Sequence, residues 1–306
     1  MSNAQLAGWD AARGSFLELR PLSAQEVQFD EQARPVFAEA QSRFKLFRIL
    51  DLNYRDWTAY HRTLLSPGSR KADDLLSLDR LLFNVLAAAY GVFEHFEVSY
   101  RRRHKKSPEK LAEYDAFREK FFRNSWACAF LMDFRNYVQH VDLPIGAFNR
   151  NENTHSISIS ITQDARRLVA EYRGWKKSQL KPEHGELDLI TLSEEFYHRL
   201  RQDFGAFMAR CFYPELQGMD RFYWDLTQEV RARNPHARMV FLAGKDETRE
   251  RTKVSVRWSF EQPPNAVFDE LGLTINREKA QHPLDPPCQA QKVLDSGLTL
   301  SGDRLR

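Results

Sequence analysis

The sequence predicts a mainly α protein, α+β overall, with a small β-containing appendage, and three observations carry that expectation. Apolar residues recur three or four apart from 74 to about 100 and again from 107 to about 141, the period of amphipathic helices. Serine and isoleucine alternate over residues 155–161, the period of a strand. Beyond Pro235 two short apolar runs, at 239–243 and 254–258, flank a polar loop as paired strands do. The 306 residues are 42% hydrophobic and hold only 3 Cys, which excludes a disordered, collagenous or disulfide-stapled chain.

In chain order, Ser23 and Glu26 have capping-box spacing, but Pro35 is expected to break any helix begun there. Residues 1–43 therefore read as an accessory arm. Residues 44–50 fit a short strand or a helix start equally well. Leu78, Leu82, Val85, Ala89, Val92 and Phe96 form the core face of the next helix. Its other stripe, Asn84, Ala88, Gly91 and His95, is small or polar and would let a second helix approach closely. Ser107 and Pro108 form a helix start, with Phe117, Phe121, Cys128, Leu131 and Val138 on one face of a second long helix. Pro144 sets its stop. Thr191 and Glu194 make another capping box, followed by Phe196, Leu200, Phe204, Phe207 and Cys211 in a third helix that Pro214 is expected to end. The division expected is a helical domain over 44–215, an α+β appendage over 216–279 and a loose tail over 280–306.

No stretch reaches the roughly 18 apolar residues of a membrane span, since the longest, 81–93, is broken by Asn84. The first thirty residues carry Asp10, Glu18, Glu26 and Asp30 and no apolar core, unlike a secretory signal. A cytoplasmic address with reduced thiols is the expectation. Charge is nearly balanced, 45 bases against 42 acids, yet Arg101, Arg102, Arg103, His104, Lys105 and Lys106 form one basic run. Such a run is either a solvated loop or a polyanion contact.

The sequence lacks a G-x-x-x-x-G-K-[ST] phosphate loop, G-x-G-x-x-G, a G-x-S-x-G elbow and H-E-x-x-H, so the chemistries those motifs serve lose their usual support. Glu94 and Glu97, one turn apart, read as a hydrated face. Neither clustered Cys and His nor a convincing carboxylate cluster is present, so no metal and no cofactor is expected. The segment that stands out is Arg135-Asn136-Tyr137-Val138-Gln139-His140, at the end of a strongly amphipathic helix. Arg55 with His61, Arg150 with His155, Arg231 with His236 and Arg277 with His282 have similar spacing but lack that helical context.

Helix and motif together resemble the HEPN superfamily, well over about 75–145 and plausibly over 44–215. The resemblance implies an antiparallel helical bundle that pairs as a homodimer, and metal-independent endoribonuclease activity of the toxin or phage-defence kind. An antitoxin or regulatory protein is then a further partner. Histidine accepts or donates a proton near neutral pH, and arginine offers a bidentate fork to phosphate. Arg135, Asn136 and His140 are the catalytic candidates. Glu94 and His95 are supporting candidates, and Arg101, Arg102, Arg103, Lys105 and Lys106 are candidate RNA contacts. Arg135 and His140 lie about 140° apart around an ideal helix, so either the helix ends between them or two chains share a site. Asn136 shares a face with His140 and is a candidate to orient its ring. The blander alternative has Arg135 paired with an acid such as Glu94 and His140 capping the last carbonyls. HEPN-like domains also occur as non-catalytic modules that dimerise or bind a protein or nucleotide.

Overall fold

A computed structural model describes residues 4–68, 73–153, 156–242, 256–258, 273–275 and 298–300. The chain divides into two compact units, one of residues 45–208 and the other of residues 1–44 with 209–306. The fold is mainly α with a small β part.

Residues 5–21, expected within an arm, form strands β1 (Gln5–Asp10) and β2 (Ser15–Pro21). They join β6 (Arg238–Leu242) and β7 (Val256–Trp258) in an antiparallel sheet ordered β2-β1-β6-β7. Leu6 and Ala7 are fully buried on this central strand. A Cβ at Gly8 would stand 2.9 Å from Val230 and Ala237, so only glycine lets β1 press so close. A second pair, β8 (Leu273–Ile275) with β9 (Leu298–Leu300), brings three residues of the expected tail into a sheet. The remainder of that tail, and Val254, lie outside the described residues.

Helix α1 (Ala24–Thr63) begins at the Ser23 capping box, where the Glu26 carboxylate accepts from Ser23 N at 2.7 Å. It runs through Pro35, against the expected break, and takes in residues 44–50, which are helix and not strand but lie within the helix instead of starting it. Packing overrides the proline: Ala33, Phe37, Ala40 and Phe44 hold one buried face while Pro35 itself points outward. In the same unit Tyr223, on α7 (Gly205–Arg233), donates to buried Asp30 at 2.6 Å.

The 45–208 unit is helical around an aromatic core in which Phe93, Phe96, Phe117, Phe204 and Phe207 meet at ring separations such as 4.1 and 4.2 Å. Helix α2 (Asp74–Arg103) follows the predicted period. It is long and apolar enough to cross a membrane, yet its Leu78, Leu82, Val85, Ala89, Val92 and Phe96 are buried in protein, as in a core helix. The expected second long helix is two, α3 (Pro108–Asn124) and α4 (Trp126–His140), because Ser125 turns extended and caps α4. Ser107 is the N-cap of α3 by position, but its hydroxyl makes no capping bond.

Next comes a sheet ordered β3-β4-β5, made of Ala147–Glu152, Ile157–Asp164 and Glu186–Asp188. Strand β4 is the predicted alternating strand, and β3 pairs with it antiparallel. Helix α5 (Ala165–Glu171) follows β4. Helix α6 (Leu189–Arg199) starts at Asp188, whose carboxylate accepts from Ile190 N at 2.9 Å, three residues before the expected cap at Thr191. A π-helical turn, Leu200–Phe204, leads into α7, and helix continues past Pro214 instead of ending there.

Candidate active site at the end of helix α4

Helix α4 is core for three turns and surfaces in its last. Ser125 Oγ accepts from Cys128 N at 3.2 Å and donates to Glu195 at 2.6 Å, which fixes the start. Trp126, Phe130, Phe134 and Tyr137, spaced four, four and three, share one face and stack at 5.0, 5.1 and 5.8 Å. Trp175 closes on Phe130 and Tyr137. On another face buried Asp133 accepts from Lys177 N, Ser178 N and Ser178 Oγ at 2.8, 2.9 and 3.0 Å. Every residue from 127 to 134 is buried, Arg135 and Asn136 are half-buried, and His140 is exposed.

The helix is continuous through His140, and Val141 N still bonds to Tyr137 O at 2.8 Å. Arg135 and His140 therefore diverge within one chain, and an ending between them is excluded. Arg135 forms no ion pair among the described residues, so the blander alternative of a partnership with an acid such as Glu94 is not realised there. Its guanidinium carbon lies 3.7 Å from the centre of the Tyr90 ring on α2, and Nη1 donates to Asn136 Oδ1 at 3.2 Å. The Asn136 carbonyl thus serves Arg135 and not the ring of His140. Among the described residues the His140 imidazole has no hydrogen-bond partner, neither a helix carbonyl nor an acid. Glu94, half-buried, stands beside the Tyr90 hydroxyl, and burial followed by this carboxylate pushes the Tyr90 pKa up.

His95 is exposed, one turn beyond Gly91 on α2. A Cβ at Gly91 would meet nothing within 4 Å, so no segment described in this chain takes up the close approach that the Asn84, Ala88, Gly91 and His95 stripe was expected to allow. Helix α2 also exposes Leu76, Phe83 and Val98, which by helix spacing lie toward the side of Glu94 and not on that stripe. The basic run ends α2 and is not uniform. Arg101 pairs with Glu97 at 2.8 Å and with Asp115, and faces the Tyr114 ring, so its guanidinium is committed to packing. Arg102, Lys105 and Lys106 are exposed, and Arg103 is half-buried. From Tyr90 to Arg101 is eleven residues, about 16 Å along the helix, so the run and the motif are separate features.

Two groups that sequence reasoning passed over belong to this end of α4. Tyr90 is one, visible in sequence only as an aromatic one turn before Glu94. The other is a chain of contacts behind the motif: Tyr137 donates to Glu171 at 2.5 Å, Glu171 accepts from Arg167 at 2.8 Å, and Arg167 pairs with Asp142. Arg167, followed by Tyr137, holds the Glu171 carboxyl below its ordinary range. Asp142 lies two residues past His140, so the chain anchors the backbone that follows the histidine. A cleft of about 420 Å³ lies beyond, lined by Gly146, Thr162, Gln163, Arg166, Arg167 and Glu186 among others. Of its polar walls Thr162 Oγ1 donates to Glu186 at 2.7 Å, whereas the buried Gln163 Oε1 has no hydrogen-bond partner among the described residues.

Of the other Arg and His pairs, Arg150 is taken up by the carbonyls of Leu64 and Ser66 and by Glu152, and His155 lies outside the described residues. Among the described residues no three His, Cys, Asp or Glu side chains converge as a metal site. Cys128 is buried, and its thiol is pushed up to about 12 by that burial, so it is no nucleophile at neutral pH. Compared with known proteins, the chain matches no family model, and neither a curated protein nor a solved structure is significantly similar.

Proposed function

We propose that the chain is a metal-independent endoribonuclease of the HEPN type, acting in the cytoplasm as a homodimer whose motif helices face one another. The observation that carries the reading is Arg135: a half-buried guanidinium near a helix end, lying over the Tyr90 ring, with no carboxylate on its fork among the described residues and with His140 exposed five residues on. An arginine whose N–H groups are not consumed by an acid suits a phosphodiester. Exposed Phe83 and Val98 on α2, with open space at Gly91, support a second copy as the partner that brings its own motif to the same site.

Between the two motifs the ribose 2′-hydroxyl attacks the adjacent phosphorus, its proton passing to water, and the bond to the 5′-oxygen breaks. The His140 imidazolium protonates the departing oxygen, and Arg135 binds the crowded phosphate. The products are a 2′,3′-cyclic phosphate and a 5′-hydroxyl, so DNA is spared. Asn136, bonded to Arg135, fixes one side of the fork. Arg102, Lys105 and Lys106 remain for more distant phosphates, whereas Arg101 is already paired.

The second reading is a non-catalytic HEPN-like module that dimerises or binds a protein or nucleotide, and the lack of any described group orienting the His140 ring favours it. Expression of wild type beside His140→Ala, scored by growth and total RNA integrity, separates the two. The nuclease reading expects RNA cleavage by wild type, persisting for purified protein in excess chelator and lost in the variant by ~10²-fold or more. Intact RNA in both strains favours the binding module.

A further inference from the structure

We propose that Tyr90 is the positioning residue for Arg135, its ring holding the guanidinium flat so that the in-plane N–H edge stays open to a phosphate. The inference rests on reading the site as RNA-cleaving. A guanidinium carbon 3.7 Å over the ring centre is in van der Waals contact with its π face. Stacking engages the π face and uses no N–H donor, whereas an ion pair uses two. Among the described residues only Nη1 of the Arg135 donors is engaged, on Asn136 at 3.2 Å.

The acids facing this point explain why the ring is needed. Glu94 lies one turn from Tyr90 on the same helix, within reach of its hydroxyl. Glu97, a further turn along, is already bound by Arg101 at 2.8 Å and Arg118 at 3.2 Å. From α4 itself the nearest acid is Asp133, engaged by Lys177 and Ser178. Glu94 is thus the carboxylate onto which Arg135 would fold if the aromatic surface were removed. Pairing there would occupy the fork and oppose the phosphate charge, so Tyr90 keeps arginine and acid apart while touching both.

The test compares Tyr90→Phe, which keeps the stack, with Tyr90→Leu and Tyr90→Met, which remove the ring but keep apolar volume. Kinetics on a single-stranded RNA oligonucleotide are expected to show kcat within about threefold of wild type for Phe and roughly tenfold or more below it for Leu and Met, with KM changed far less. Adding Glu94→Gln to Tyr90→Leu is expected to restore part of the lost kcat. Independently of activity, the upfield ring-current shift of the Arg135 side-chain protons should be present in wild type and Tyr90→Phe and absent in Leu and Met. Urea melts identify a variant that fails to fold, and the remaining ring-less variant then decides. A wild type inert toward RNA, with the ring-current shift present, overturns the nuclease reading and with it this role. An active wild type with Leu and Met equally active overturns the role of Tyr90 alone.

Discussion

Arg135 and Glu26 show how differently a charged side chain is used according to what faces it. At Arg135 the neighbour is an aromatic ring, which leaves donors over. At Glu26 the neighbour is Arg20, bidentate at 2.8 and 2.9 Å, and that guanidinium holds the Glu26 carboxyl below the ordinary carboxylate range despite its burial. Because the folded pKa is the lower one, this pairing contributes its full stability above the unfolded value near 4.5 and loses it as pH falls through the folded value. Glu26→Gln is therefore expected to melt below wild type at pH 7, with the gap closing progressively below about pH 4.5; a gap independent of pH would mean that the charge contributes nothing. In the sequence the Ser23 and Glu26 spacing was legible because a capping box is local. Arg20 was not, since its partners Glu26 and Glu229 come from two different helices. Tyr90 escaped for the same reason, as a contact across two helices leaves no periodic trace in either. The arginine and histidine of α4 were legible because a helix end concentrates its signal within one turn.

Among the elements, α2 and the strand centred on Ile159 carried complete periods and were read correctly, and the misreadings cluster at prolines and at one serine. Pro35 and Pro214 were taken as breaks, yet α1 and α7 continue through both. A mid-helix proline loses one hydrogen bond and crowds the preceding turn, by roughly 3 kcal/mol relative to alanine, and a long buried face can outweigh that. At Ser125 the error ran the other way, because the apolar pattern of α3 and α4 is continuous while the backbone turns extended for a single residue. Ser125 marks the break with a local cap, accepting from Cys128 N, and with a bond to Glu195, seventy residues away, that no local rule reveals. Since Pro35 is exposed, Pro35→Ala removes no packing and returns a backbone donor to α1. The variant is expected to gain about 1–3 kcal/mol, read as a higher urea midpoint at unchanged m-value. Destabilisation would instead show that the helix has shaped its packing around the proline ring.

For the whole molecule, helical continuity through His140 makes a demand that a single chain does not meet. Two side chains about 140° apart on one rigid helix cannot converge on one phosphate, so the proposed site takes Arg135 from one subunit and His140 from the other. Exposed apolar side chains are available to such a pairing, Leu76, Phe83 and Val98 spread along α2 and Val141 and Leu143 just past the motif. The arrangement has a consequence for mixed dimers. Arg135→Ala alone leaves every site without its fork, and His140→Ala alone leaves every site without its proton donor. A dimer containing one of each holds one site with both groups missing and one site with both intact. Unfolding an equal mixture together and refolding it should make half of the dimers mixed, so activity is expected to return from background to roughly a quarter of wild type. Mixing the two variants without exchange of subunits should leave activity at background and serves as the control. If arginine and histidine of the same chain acted together, no combination of the two variants would hold an intact site, and the refolded mixture would stay inactive. Sedimentation of the wild type at micromolar concentration should meanwhile show a dimer, and a monomer that cleaves RNA would remove the shared site altogether.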